Sequence, residues 1–153
     1  MIAMNVEDLL EDSRDLWSRG RKRSAFALIL IAFAATARRR YPKPIGDAES
    51  FKRFIRDELP TITGTPDRAL SIPFEGKLTP VEDILYRQLR CQLIHEGELP
   101  DSITFTQRAV VEGVPYDVIT LTQPLGLPEH WVLNMARALA NAPENSNPSG
   151  LAT

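Results

Sequence analysis

The sequence predicts a mainly α-helical domain. The expected core is an antiparallel bundle of four helices over about 4–18, 24–40, 48–59 and 79–96, with a β-hairpin and a final helix added at the C-terminal side. Three observations predict this class. Apolar residues recur at helical spacing through the first hundred residues. Proline and glycine punctuate the chain where those periods end. The period then changes from helical to alternating after about residue 100.

Val6, Leu9, Leu10, Ser13, Leu16 and Trp17 fall on one helical face, with acids on the other, so residues 4–18 read as an amphipathic helix. Gly20 breaks the pattern. The second helix starts near Ser24 and runs to Arg40, where Tyr41-Pro42-Lys43-Pro44 ends it. Its run from Ala25 to Ala37 is apolar almost all round over thirteen residues. A membrane span needs about 20. An acidic stretch precedes the run and Arg38-Arg39-Arg40 follow it, which also argues against a secretory signal. A helix at the centre of the core, or at a subunit interface, is expected.

Asp47 is expected to cap a third helix that turns Phe51, Phe54, Ile55 and Leu59 inward and stops at Pro60. Residues 60–78 read as a long loop rich in proline, glycine and threonine. Gly64-Thr65-Pro66 is not a phosphate loop, because no Gly-Lys-Ser/Thr follows.

The fourth helix has a capping-box signature, Thr79-Pro80-Val81-Glu82, with proline at its first position. Gly97 and Pro100 mark its end. Val81, Leu85, Leu89 and Leu93 make its apolar stripe, with Gln88 and Gln92 beside it. Arg90 lies on another side with Tyr86, Arg87 and Ile94, and His95 at the edge of the stripe. Five residues apart, Arg90 and His95 point about 140° away from each other on a straight helix. One subunit alone makes a poor reactive pair. Two such helices meeting across a twofold axis could bring two arginines and two histidines into one cleft.

Ile103–Thr106 and Ala109–Val111 lead through Glu112-Gly113-Val114-Pro115 to Tyr116–Leu121, read as a β-hairpin around a glycine-containing turn. Leu127-Pro128 begins the last helix, with Trp131, Val132, Met135, Ala136 and Leu139 apolar. Residues 1–142 read as one domain, and 143–153 as a disordered polar tail.

The composition, 43% hydrophobic and 25% charged, is that of a soluble globular chain. One cysteine, Cys91, excludes an intrachain disulfide and a cysteine-based metal cluster, and fits a reducing, cytoplasmic setting. Two histidines, His95 and His130, are too few for a zinc site, so no metal or other cofactor is expected. The net charge of −2 hides eight basic residues and no acid within 19–43. Arg38, Arg39 and Arg40 there have two readings: complements to a helix dipole, or a patch that contacts nucleic-acid phosphates.

Arg90-Cys91-Gln92-Leu93-Ile94-His95 resembles the motif of the HEPN superfamily, an arginine followed four to six residues on by a histidine. The flanks resemble it too, over roughly residues 5–98: a long buried helix ending in Ala37-Arg38-Arg39-Arg40-Tyr41-Pro42, a helix with Phe51 and Phe54, then the motif helix. Cys91 stands where that family often carries Asn, Asp or His. The resemblance implies a small all-helical domain and a metal-independent ribonuclease, toxin-like or defence-linked. In it His95 is the acid/base and Arg90 orients the phosphate, at a site shared by a homodimer. The residue types suit that chemistry, since histidine exchanges protons near neutrality and arginine holds phosphate with a permanent, bidentate charge. Tyr86, Gln92 and Cys91 are weaker candidates for assisting roles. The competing reading is a non-catalytic HEPN-like module that dimerises and binds RNA or a protein partner, such as an antitoxin or an accessory subunit. At residue level, His95 then only complements the helix C-terminus and Arg90 is solvated.

Overall fold

The computed structural model describes residues 5–94 and 103–146. The chain is mainly helical, with three small two-stranded sheets. Helix α1 (Val6–Ser18) opens with a capping box: the Asn5 side chain accepts from the Asp8 N–H at 2.8 Å, and the Asp8 carboxylate accepts from the Asn5 N–H. Helix α2 (Lys22–Arg40) is the centre of the molecule. Phe26, Leu30, Phe33 and Ala37 are buried, and α1, α3, α4 and α5 all pack against it. A helix apolar almost all round needs neighbours on most sides, and α2 has them except along one face, where Leu28 and Ile31 are half-buried and Ala35 is exposed. Among the described residues no helix is long and apolar enough to cross a membrane.

Helix α3 (Asp47–Thr63) begins one residue earlier than a cap at Asp47 requires. Gly46 is its N-cap, and Asp47 lies inside the first turn, ion-paired to Arg38 at 3.3 Å. Pro60 does not stop α3. The helix continues for three residues because Ile62 is buried in the core, and the Gly64 N–H closes the last turn on the Pro60 carbonyl at 2.9 Å. Core burial here outweighs the local cost of a proline.

The expected long loop over 60–78 is partly strand. β1 (Ser71–Phe74) and β2 (Lys77–Pro80) pair antiparallel, Phe74 opposite Lys77, around Glu75-Gly76. Ile72 and Phe74 alternate inward, which anchors the pair to the core. Helix α4 (Val81–Ile94) follows directly. Pro80 ends β2 rather than beginning α4. The expected capping box gives way to other partners: the Thr79 hydroxyl donates to the Lys77 carbonyl, and the Glu82 carboxylate accepts from Arg56 at 2.7 Å.

The C-terminal part differs most from expectation. β3 (Ile103–Thr106) does not join a hairpin. It pairs in parallel with β6 (Leu125–Pro128), Ile103 opposite Leu125. The ribbon between them is β4 (Ala109–Val111) with β5 (Val114–Tyr116), antiparallel, Val111 opposite Val114. It forms part of the crossover that a parallel pair requires. Helix α5 (Glu129–Asn141) is no appendage: Trp131, Val132, Met135, Ala138 and Leu139 are buried against α3 and α2.

The tail expected from residue 143 is packed over its first residues. Pro143–Asn145 form a 3-10 turn, and the Asn145 amide donates to Thr36 and to the Leu139 carbonyl, both at 3.0 Å.

Candidate functional site

Helix α4 carries the residues that the sequence singles out. Its amphipathic pattern is strict: Val81, Ile84, Leu85, Gln88 and Leu89 are buried at helical spacing, while Arg87 and Arg90 are exposed. Glu82 and Asp83 in the first turn complement the helix dipole. Each also meets a cation of α3, Glu82 with Arg56 at 2.7 Å and Asp83 with Lys52 at 3.1 Å. These ties and the buried stripe fix α4 against α3.

Tyr86 is half-buried beneath this seam. Its ring lies 5.6 Å from that of Phe51, and the Lys52 ammonium sits 5.5 Å above it. The phenol is thus part of the α3–α4 contact. Arg87 is paired with Glu75 of the β1–β2 turn and lies over the Phe74 ring. Arg90, one turn further on, is exposed and makes no hydrogen bond or ion pair with a described residue. The helix therefore carries one arginine that is held and one that faces solvent. Cys91 and Gln92 lie in α4 by backbone, with side chains outside the described residues. His95 lies outside the described residues as well.

The arginines at the C-terminus of α2 are committed to the chain itself. Arg38 donates to the Ile45 carbonyl at 2.8 Å and pairs with Asp47. Arg39 donates to the Glu144 carbonyl and the Asn145 side chain. Arg40 makes a two-pronged contact with Glu144, at 3.0 and 2.9 Å. It also reaches Glu58 at 3.1 Å and Asp57 at 3.3 Å, with its guanidinium 4.4 Å from the Phe54 ring centre. The hydrogen bond to Glu144 comes first among the causes that raise the Arg40 pKa, and the same bond holds Glu144 below the usual carboxylate range. Asp57 also accepts from the Tyr41 hydroxyl at 2.5 Å, which pushes the Tyr41 pKa up.

This cluster is the most organised polar feature among the described residues, and sequence spacing does not reveal it. A cleft of about 500 Å³ lies beside it, lined by Glu7, Glu11, Arg14, Arg39 and Leu139 among others. Arg39 is the one sequence candidate on its wall. Among the described residues no group of three or more His, Cys, Asp or Glu side chains could hold a metal ion.

The chain belongs to the family described as Rv1289, whose model matches residues 5–150. No curated protein and no solved structure matches it.

Proposed function

We propose that this member of the Rv1289 family is a HEPN-like domain that acts as a homodimer on RNA, cleaving it without metal at a site built from Arg90 and His95. The observation that carries this reading is the contrast along α4. Arg87 is locked to Glu75 and Phe74, while Arg90 is exposed, with no hydrogen bond or ion pair to a described residue, and suits a phosphate. In the proposed step His95 takes the proton of a ribose 2′-hydroxyl. The 2′-oxygen bonds to phosphorus, the bond to the 5′-oxygen breaks, and the twofold-related His95 protonates the leaving oxygen. Arg90 stabilises the negative charge that grows on the phosphate. The fold part of the reading is that α1 to α4 form the HEPN-like antiparallel bundle, supported by the central place of α2.

A second reading, a non-catalytic HEPN-like module, is favoured by the commitment of Arg38, Arg39 and Arg40 to the chain's own carboxylates and carbonyls. That leaves no free arginine triplet to grip a phosphate backbone. Incubating purified protein with labelled single-stranded RNA in chelator separates the two. Cleavage with 2′,3′-cyclic phosphate ends supports the enzyme. Absence of cleavage at any protein concentration supports the module.

A further inference from the structure

The β4–β5 ribbon is unlike any other element among the described residues. It is a two-stranded sheet, and every residue of both strands is exposed. Those residues are apolar: Val110 is 69% exposed, Val111 55%, Val114 48% and Tyr116 53%. An isolated two-stranded ribbon is marginally stable in water. An exposed apolar edge strand is a template for further pairing unless something blocks it.

The two edges are not equivalent. Val111 and Val114 flank a two-residue turn, Glu112-Gly113, with φ of 51° and 79°. A turn of this kind closes on a hydrogen-bonded pair, so the next pair alternates. That pair is Val110 opposite Pro115. The backbone groups of both therefore face outward. On the β5 side the outward residue is a proline, with no N–H to offer, and that edge is blocked. On the β4 side Val110 presents both N–H and C=O, with Arg108 just before the strand and Glu112 in the turn just after it.

We infer that the β4 edge is a homodimerisation site, at which β4 pairs antiparallel with β4 of a second copy about a twofold axis at Val110. Charge complementarity selects this occupant. With Val110 opposite itself, Ala109 meets Val111, and the Arg108 side chain comes within reach of the turn residue Glu112, each twice by symmetry. Arg108 is already steadied by Asp117 at 2.9 Å, and Glu112 has no partner among the described residues. The result is a four-stranded sheet with apolar pairs at the axis and opposite charges at both ends. The inference rests on the homodimeric reading above.

Sedimentation velocity on the full chain tests it, with three proteins compared. The wild type should be a dimer at tens of micromolar. Val110→Pro removes the outward N–H without touching a bond between β4 and β5, and should be monomeric with an unchanged circular dichroism spectrum. Glu112→Lys turns the attractive end pairs repulsive, and should weaken the dimer by about tenfold at low salt. A monomeric wild type overturns the inference and removes the dimer from the proposed function as well. A Val110→Pro protein that dimerises like wild type overturns the inference alone, leaving a homodimer that uses another face. If Val110→Pro does not fold, Glu112→Lys decides, and dimerisation equal to wild type overturns the interface.

Discussion

Arg40 and Glu144, 104 residues apart in sequence, meet through two parallel hydrogen bonds of 3.0 and 2.9 Å. They tie the end of α2 to the 3-10 turn after α5, and both side chains are only about a fifth exposed. The Arg40 guanidinium holds the folded-state pKa of Glu144 below its ordinary value. The unfolded state therefore binds more protons as pH falls toward that pKa, and the stabilisation, full above the ordinary carboxylate range, is lost below it. Urea unfolding of the wild type should show stability falling from pH 5 downward, and Glu144→Gln should be less stable at pH 7 with a shallower fall. Equal pH slopes for the two proteins would contradict this.

Arg40→Ser should cost about 1–3 kcal/mol of stability, because Glu144, Glu58 and Asp57 all lose a charged donor. Arg39 is exposed, and Arg39→Ser should change stability by less than about 0.5 kcal/mol. Neither change should alter the salt slope of any RNA affinity the protein shows. A flattened slope would return these arginines to a nucleic-acid role.

Phe33 and Phe54 pack edge to face, 5.2 Å between ring centres, where α2 crosses α3. Both are fully buried. Phe33→Ala should cost about 3–5 kcal/mol, read by chemical denaturation. A loss under 1 kcal/mol would mean that the centre of the core lies elsewhere.

Gly126 lies where β6 meets Thr120, with backbone bonds of 3.1 and 3.0 Å in both directions. A Cβ there would fall 2.0 Å from the Thr120 hydroxyl and 2.7 Å from the Thr106 methyl. Gly126→Ala should therefore cost about 1–3 kcal/mol and loosen β3 from β6, seen as faster amide exchange at those strands. Exchange unchanged from wild type would contradict the close approach.

Much of the helical framework was legible because helices announce themselves locally. The 3.6-residue period marks Leu9, Phe54 and Met135 as inward residues, and all three are buried. What the period cannot show is pairing at a distance. Ile103 alternates with its neighbours in a strand-like way, but nothing nearby says that it runs parallel to Leu125. The two tight turns are instructive. Glu75-Gly76 and Glu112-Gly113 share residue types and positive φ, but only the second has simple alternating flanks. Pro73 and Pro80 disguise the first as loop. At the site, the exposure of Arg90 follows from its place opposite the apolar stripe. The engagement of Arg38, Arg39 and Arg40 does not, since most of their partners come from other elements and the turn after α5.

The central claim concerns His95 and Arg90, and end-group analysis of RNA products tests it most directly. Wild type, His95→Ala and Arg90→Lys are each incubated with single-stranded RNA in excess chelator, after circular dichroism confirms folding. The wild type should generate 2′,3′-cyclic phosphate ends. His95→Ala should lose cleavage through its missing proton carrier. Arg90→Lys should fall by about 10²-fold or more, because a point charge cannot reproduce the planar fork. Cleavage that persists in His95→Ala, or that needs a metal, would contradict the account.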